Sequence, residues 1–434
     1  MANLKRGKTR KIVQLVGEED REDTERPVPR TFSRYGLYGT DLGTPLDFGP
    51  GGPLWFLFGD AWTAEKLKDG KLDPKVYDDK SALKPPYNHF RPFNADPVGV
   101  APSNATAQNL DDKFELSFFQ AADGRYATLE MPGVSLLTEK VPTGAIKTPG
   151  GVYVFATGKP FRDGGDPSGD DPARSWVARW SNMETLKTDP PYEFSQANFG
   201  NYLFPVVGGV KGSGIPGHPT EGEVVWLWGT RYPNRQSSVR LAYVPLAQIG
   251  DRCAWRFFTH TSWSGAARWH HDEGRAAALF ENSSVGEFSV AWNQNLGQWL
   301  MLYGCPDPRG IVCRAADNPW GPWSESLVVF EPWDDNGYKH FMHIPTQDAL
   351  NDLGHDYPGG EYAPILIPRY TLGSRNRTTI RYTMSTWNPY TVVIMESELW
   401  PASLADEISR LAGRVSRNIL DWLRRWIWRL PGSE

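Results

Sequence analysis

The sequence has only three cysteines among its 434 residues, Cys253, Cys305 and Cys313. This odd number, without the spacing of metal ligands, excludes a disulfide framework and the common zinc motifs. Cys305 and Cys313 are close enough in sequence to pair, but we favour the interpretation that both are small residues of strands. The fold must therefore be held together by packing of its core.

The sequence also lacks a long apolar run, a basic segment large enough for a domain, and a visible secretory leader. No run of about 18 apolar residues occurs, which excludes a membrane-spanning helix. The net charge is −5, which argues against a nucleic-acid-binding protein. The first 30 residues contain charged side chains and no apolar leader segment, so we expect synthesis in the cytoplasm.

Aromatic residues and turn-forming residues are abundant, with 19 Trp, 43 Gly and 36 Pro. Short β-rich segments alternate with turns, and an aromatic strand recurs five times with one β-like segment before it and another after it. The five copies are WFLFGDAW (55–62), VYVFATG (152–158), VVWLWGT (224–230), QWLMLYG (298–304) and RYTMSTW (381–387). This repeat predicts an all-β fold, a five-bladed β-propeller, with a large β-sandwich as the alternative.

The tryptophans of the repeated strand have a structural interpretation. They recur in or beside the second strand of a unit, where side chains pack between neighbouring sheets. We therefore predict a packing role rather than sugar binding for five of them: Trp55, Trp226, Trp228, Trp299 and Trp387.

The sequence divides into three parts. Residues 1–33 are basic and then acidic, which predicts a charged, solvated N-terminal arm. Residues 34–401 contain the repeat and form the predicted propeller. Residues 402–434 carry apolar residues at helical spacing together with many arginines, which predicts an amphipathic C-terminal helix. Such a helix can lie in a membrane interface, pack on the propeller or contact a second subunit.

Acidic residues occur where the inner strands of a propeller converge at one mouth of the central channel. Asp41 lies in a predicted inner strand, Glu287 opens another, Asp60 ends the neighbouring second strand, and Asp96 opens a third strand. Glycoside hydrolysis needs two carboxyl groups, one to protonate the leaving oxygen and one to activate water or attack the sugar. We predict Asp41, Asp60 and Glu287 as catalytic residues. Asp96 is a candidate for substrate binding, with a turn cap as its alternative role.

Aromatic and histidine side chains near the later blades are candidates for contacts with a sugar. Trp62 follows Asp60 closely, and we predict that it stacks on a sugar ring. His343 and Tyr362 precede or open the last inner strand and are predicted to bind substrate. The same region contains further candidates, namely Tyr338, His340, Tyr357 and Glu361.

We predict no metal and no cofactor. The run that would suggest a metal is HHDE (270–273), whose four residues are consecutive. Consecutive side chains of a strand point to opposite faces, so this run does not converge on one ion. Phosphate-binding loops, dinucleotide-binding motifs and nucleophile elbows are absent from fitting contexts.

Four motifs together resemble one family. They are YGLYGTDLGTPL (35–46), GGPLWFLFGDAW (51–62), GEFSVAWNQNLGQWLMLYG (286–304) and ADNPWGPWSE (316–325). They resemble the family described as domain of unknown function 4185, also grouped as glycoside hydrolase family 183, the endo-D-arabinanases. The resemblance covers roughly residues 34–400.

The resemblance implies a five-bladed propeller that cleaves α-linked D-arabinofuranose chains, as found in mycobacterial arabinogalactan and lipoarabinomannan. It places the family's acids at Asp41 and Asp60, and less directly at Glu287. Ala61 departs from the threonine frequent before Trp in the second motif, and this change leaves both acids in place.

Three hypotheses about function follow. The first is an endo-acting hydrolase of D-arabinan; the second is a non-catalytic carbohydrate-binding propeller, such as a phage tail or wall-docking protein; the third is an exo-acting furanosidase or another propeller glycosidase. Because no secretory leader is visible, we expect action at the bacterial cell envelope after phage release or signal-independent export, unless the start is misassigned.

Overall fold

The computed structural model describes residues 3–20, 22, 29–64, 90–91, 96–110, 114–134, 138–159, 174–196, 199, 203–210, 222–231, 235–282, 284–348, 350, 357–403 and 406. The C-terminal helix predicted over 402–434 lies almost wholly outside these residues and stays a prediction.

Within the described residues, the chain forms five antiparallel sheets. Strand β1 (Leu4–Gln14) and the short helix α1 (Thr31–Tyr35) precede the first of them. The first sheet contains β2 (Leu37–Asp47), β3 (Leu54–Ala64), β4 (Phe90–Arg91), β5 (Val98–Val100) and β6 (Ser117–Phe118). The second contains β7 (Thr138–Thr148), β8 (Gly151–Lys159), β9 (Arg174–Trp180) and β10 (Tyr192–Gln196).

The remaining three sheets follow in chain order. The third contains β11 (Leu203–Val210), β12 (Gly222–Gly229), β13 (Arg240–Pro245), β14 (Arg256–Thr261) and β15 (Ala267–His270). The fourth contains β16 (Phe288–Asn293), β17 (Gln298–Pro306), β18 (Arg309–Ala316) and β19 (Leu327–Phe330). The fifth contains β20 (Gly360–Leu366), β21 (Leu372–Ser374), β22 (Arg377–Trp387), β23 (Thr391–Pro401) and also β1. Single 3₁₀ turns occur at Leu246–Gln248, Arg252–Ala254, Glu273–Arg275 and Pro368–Tyr370.

The sheets are the blades of a propeller. The first strand of each repeat, β2, β7, β11, β16 and β20, contacts the next one around a ring, and β20 contacts β2 to close it. The predicted five-bladed β-propeller is therefore confirmed. The predicted packing role is confirmed for Trp55, Trp226, Trp228 and Trp299, which are buried between sheets. It is wrong for Trp387, which ends β22 and is 40% exposed.

The N-terminal segment is part of the propeller. Strand β1 pairs antiparallel with β23, from Leu4 opposite Pro401 to Gln14 opposite Val393. Its cationic side chains meet acidic partners far along the chain: Arg6 lies 2.5 Å from Asp335, and Arg10 lies 2.6 Å from Glu396. The prediction of a solvated arm is therefore wrong for residues 4–14. The charges that suggested a tail belong to an edge strand, where charged side chains are common.

One lysine of β1 is buried. Lys11 Nζ lies 2.7 Å from Asp20 Oδ1 and 2.8 Å from Glu22 Oε2. The side chains of Lys11 and Asp20 are only 1% and 2% exposed. This ion pair ties the segment after β1 back onto the fifth blade.

The cysteines are unpaired, as the favoured interpretation predicted. Cys305 and Cys313 are buried free thiols of β17 and β18, and burial raises the pKa of Cys313 to about 12. Among the described residues, no helix combines the length and apolar character that crossing a membrane requires.

Candidate active site

Side chains from three blades converge at one end of the ring, which we call the channel mouth: the end at which β2, β16 and β20 begin. Asp41 lies in β2, Asp60 in the adjacent β3, Glu287 directly before β16, and Tyr362 in β20. The charges of Asp60 and Glu287 both act on Asp41, and the Tyr362 hydroxyl bonds to it. The fold thus brings together the three acids that the sequence predicted as catalytic, although their catalytic role stays a prediction.

The backbone around Asp41 departs from a regular strand. The pairing of β2 with β3 shifts register on both sides of the Asp41–Gly59 pair, and Leu42 takes a left-handed φ of 66°. Asp60 takes a φ of 45°. Such conformations cost energy in non-glycine residues and cluster at functional sites, and bulges redirect side chains. Here the irregular strands aim both carboxyl groups at the channel mouth.

Gly59 leaves room for the Asp41 carboxyl. A Cβ atom on Gly59 would lie 3.2 Å from Asp41 Oδ1 and 2.8 Å from a methyl carbon of Val141. Next to Asp41, the Leu42 N–H donates to Ser385 Oγ at 2.9 Å and fixes the turn of the chain just after Asp41. A larger residue at position 59 would displace either the carboxyl or the neighbouring blade.

Asp41 is held so that its protonated form is favoured. Burial raises its pKa well above the ordinary value, and the negative charges of Asp60 and then Glu287 raise it further. The Tyr362 hydroxyl opposes this effect, because it donates to Asp41 Oδ2 at 3.0 Å and so stabilises the ionised form. Oδ1 is buried and has no hydrogen-bond partner among the described residues.

Asp60 occupies a different environment. Its side chain is half-buried, and its backbone oxygen accepts a hydrogen bond from the Tyr390 hydroxyl at 3.1 Å. The Tyr390 hydroxyl also lies close enough to Asp41 to lower the pKa of that carboxyl. One tyrosine of the fifth blade therefore links the two acids of the first.

Glu287 is bound by an arginine. Arg235 Nη2 donates to both carboxylate oxygens, at 3.2 Å and 3.1 Å. The Arg235 guanidinium also lies over the Tyr362 ring, 5.7 Å from its centre. Glu287 is 5% exposed, whereas the Arg235 side chain is 55% exposed and closes this side of the mouth.

Asp96 and Trp62 lie close to the acids, but both side chains are buried rather than open to a ligand. Asp96 is buried. Strand β5 pairs with β3 with Leu57 opposite Val98, and this register, extended by two residues, places Asp96 beside Gly59. Its backbone oxygen accepts from the Leu129 N–H at 2.9 Å.

Trp62 is only 4% exposed. Its ring packs on Tyr390 at 5.1 Å and edge-to-face against Trp387 at 6.2 Å. A buried ring offers no face to a sugar, so we correct the expectation that Trp62 stacks on substrate. It supports Tyr390 and Trp387 from behind.

His343 is likewise buried, with 2% exposure. Its Nδ1 lies 2.6 Å from Asp348 Oδ1, and its backbone N–H donates to Asn388 O at 3.0 Å. The imidazole, together with two backbone N–H groups, lowers the pKa of Asp348. We correct the expectation that His343 binds substrate: it anchors the turn between Trp387 and Tyr390.

The remaining candidates form a separate cluster. Glu361 is buried beside Arg309, and burial raises its pKa. Tyr338 donates to Gly359 O at 3.2 Å.

His270 and His271 of the HHDE run stack on each other, and the described part of the chain contains no group of three metal-ligating side chains.

Sequence reasoning missed three residues of the site, Arg235, Tyr390 and Trp387. Arg235 lies in a loop with no motif around it, and Tyr390 lies in the turn directly before β23. Trp387 was interpreted as packing because it matched the repeat. Its position at the last residue of β22, at the channel mouth, was the signal that distinguished it.

A family model described as "Domain of unknown function (DUF4185)" matches residues 28–396. The chain belongs to the DUF4185 family. The match covers all five inner strands and each of the three acids at the mouth. Among curated proteins, no sequence matches the chain.

Solved structures share the fold of this DUF4185 domain at low identity. A Bacteroides ovatus protein provisionally assigned as a hydrolase superposes with a TM-score of 0.50 at 11% identity, over 85% of this chain and 87% of that one. An exo-1,5-α-L-arabinanase from a bovine ruminal metagenomic library gives 0.36 at 8% identity, over 83% and 94%. A GH62 hydrolase in complex with xylotriose gives 0.37 at 9% identity, over 83% and 92%. The first likeness shows a common fold alone, and the other two are too distant to support an argument.

Proposed function

We propose that this protein is a glycoside hydrolase that cleaves α-D-arabinofuranosyl linkages within D-arabinan. The observation that carries the proposal is the pairing of two adjacent carboxyl groups in different environments. Burial and the charge of Asp60 favour the protonated form of Asp41, while Asp60 itself is half-buried. Acid-assisted cleavage of a glycosidic bond requires a protonated carboxyl group with a second carboxyl group beside it.

The roles follow from the environments. Protonated Asp41 is the general acid: it transfers its proton to the glycosidic oxygen as the bond from that oxygen to the anomeric carbon breaks. Asp60 is the base that activates water, or the nucleophile that attacks the anomeric carbon. The positive charge that develops on the sugar ring in the transition state is stabilised by the nearby carboxylates.

Glu287, Arg235 and Tyr362 position Asp41. The negative charge of Glu287 favours a protonated Asp41, and Arg235 holds that carboxylate in place through both of its oxygens. The Tyr362 hydroxyl fixes Asp41 Oδ2, which directs the other oxygen, Oδ1, away from the tyrosine.

The choice of substrate rests on the resemblance of the GTDLG and FGDAW motifs, which carry Asp41 and Asp60, to those of the endo-D-arabinanases. D-arabinan is a polymer of the mycobacterial cell envelope, and we accordingly propose that the protein acts there. The test is incubation of the purified protein with mycobacterial arabinogalactan and, in parallel, with plant L-arabinan.

We expect a ladder of arabino-oligosaccharides from the first polymer and no products from the second. Release of monomers alone would replace endo with exo action. Retention of the protein by arabinogalactan without cleavage would overturn the hydrolase proposal in favour of a carbohydrate-binding propeller.

The pH dependence of hydrolysis tests the role of Asp41. Activity must fall as the pH rises through the raised pKa of the acid. Tyr362→Phe removes a hydrogen bond that stabilises ionised Asp41, so the alkaline limb should move to higher pH. Glu287→Gln removes a negative charge, so the limb should move to lower pH. The measurement is the pH profile of kcat/KM, and shifts of both variants in one direction would contradict the assignment.

We also propose that the predicted C-terminal helix contacts a membrane surface or another subunit. Deletion of residues 404–434 should abolish co-sedimentation with anionic liposomes and leave hydrolysis unchanged, because the acids lie in blades one and four. Persistent co-sedimentation would refute the membrane contact, and a change of size in solution on deletion would indicate the subunit contact.

A further inference from the structure

Large apolar side chains are exposed at only five positions in the described part of the chain: Trp263, Trp292, Trp333, Tyr357 and Trp387. Trp263 lies in the β14–β15 hairpin, and Trp292 lies toward the far end of β16 from Glu287. The other three lie at the channel-mouth end of the ring, since Trp333 follows β19 of the fourth blade, Tyr357 precedes β20 and Trp387 ends β22 of the fifth. They are 52%, 68% and 40% exposed for Trp333, Tyr357 and Trp387, respectively. We call these three residues the aromatic rim.

The aromatic rim is continuous with the carboxyl groups. Trp387 packs against Tyr390 with ring centres 5.3 Å apart, and the Tyr390 hydroxyl bonds to Asp60. The exposed ring of Trp387 is therefore one side chain away from the catalytic acids. A line of aromatic side chains that leads away from the cleavage site begins at Trp387.

The path continues through short contacts. Asn388, next to Trp387, donates from Nδ2 to the Tyr357 backbone oxygen at 3.4 Å. Tyr338 donates to the backbone oxygen of Gly359, two residues beyond Tyr357. The Trp333 ring lies 4.8 Å from the Tyr338 ring. The three exposed aromatics are thus connected through Asn388, Gly359 and the Tyr338 side chain.

Polar groups accompany the rings. Arg309 lies over the Tyr338 ring at 5.4 Å, and its side chain is 46% exposed while it faces Glu361 at 3.7 Å. Aromatic rings flanked by such groups suit sugars, whose C–H faces pack on rings while their hydroxyls take hydrogen bonds. Since the guanidinium is already matched by a carboxylate, the arrangement suits an uncharged chain rather than an anion.

We propose that the aromatic rim binds successive sugar rings of an uncharged polysaccharide that extends from the cleavage site across the fifth blade. This inference rests on the proposed function, and it gives the site a means of acting within a long chain. A cleavage site without such a path would have little preference for a polymer over a short glycoside.

Binding is tested apart from cleavage in an Asp41→Asn background, by affinity electrophoresis in gels that contain mycobacterial arabinogalactan. We expect Trp387→Ala and Trp333→Ala each to weaken retention about tenfold, and the triple variant with Tyr357→Ala to abolish it. The matched control is Trp263→Ala, a fully exposed tryptophan away from the mouth, which should be retained as strongly as the parent.

Cleavage is then compared on two substrates with active protein. The Trp333→Ala and Tyr357→Ala variants should lose kcat/KM on the polymer and keep it on an aryl arabinofuranoside that occupies only the cleavage site. Because Trp387 is partly buried against Trp62, Trp387→Tyr serves as a second variant and should restore most retention.

Normal retention and normal polymer cleavage by the folded triple variant would overturn the aromatic rim and leave the proposed function intact. Equal losses in the Trp263→Ala control would also overturn it, because the binding would then be nonspecific. A wild-type protein that is retained but cleaves neither substrate would refute the proposed function while supporting the aromatic rim as a glycan-binding surface. Absence of both retention and cleavage in the wild type would overturn both proposals.

Discussion

Replacement of Asp41 by Asn should lower kcat/KM on D-arabinan about 10³-fold or more, since a positioned general acid typically contributes 10²- to 10⁴-fold. Asn has the shape of the carboxyl group but carries no transferable proton. Asp60→Asn should cause a comparable loss, because it removes the second carboxyl group of the pair. The measurement is release of reducing ends at the pH optimum of the wild type.

A control on the same strand distinguishes chemistry from structure. Asp47 lies at the other end of β2 as an exposed partner of Arg369, and Asp47→Asn should retain full activity. The Asp41→Asn protein should also unfold at a temperature no lower than the wild type, since Asn removes a carboxyl that burial disfavours. Full activity of either site variant would remove that residue from the mechanism.

Replacement of Lys11 by Met should reduce the free energy of unfolding by about 3–5 kcal/mol, the usual cost of leaving one partner of a buried ion pair uncompensated. Asp20 would remain 2% exposed, and within the described residues it would keep the Glu22 N–H as a donor to Oδ1 at 3.1 Å. The measurement is the midpoint of urea unfolding at constant m-value.

Two further variants make that prediction specific. Adding Asp20→Asn to Lys11→Met should recover most of the loss, because no buried charge remains. Lys187→Met, which breaks an exposed ion pair with Glu130, should cost only about 0–1 kcal/mol. A small effect of Lys11→Met alone would mean that the segment around Asp20 is not held to the fifth blade in solution.

The blade framework could be predicted from the sequence because each blade is built from neighbouring segments. Val224–Gly229, for example, pairs with the strands just before and just after it, and the aromatic repeat marks this local pattern. Asp41 and Asp60 could be predicted for the same reason, since both lie in one hairpin.

Features that depend on distant pairing could not be predicted. Strand β1 resembles a solvated tail because the acids that neutralise Arg6 and Arg10 lie more than 300 residues away. The Tyr362 hydroxyl meets Asp41 across 321 positions. The burial of Trp62 and His343 was also hidden, because each is covered by the 387–390 turn, whose shape no local pattern reveals.

The fifth blade draws strands from both ends of the chain, and this sets an order for folding. Blades one to four consist of segments near one another in sequence, so their strands can pair as soon as they are synthesised. Strand β1 is made before all of them, yet its partner β23 is made after them. Until β23 emerges, β1 presents an unpaired edge, and such edges favour association with other chains. We therefore expect closure of the ring to be the last event, and it depends on the strand that follows Tyr390, the residue that links Asp41 with Asp60.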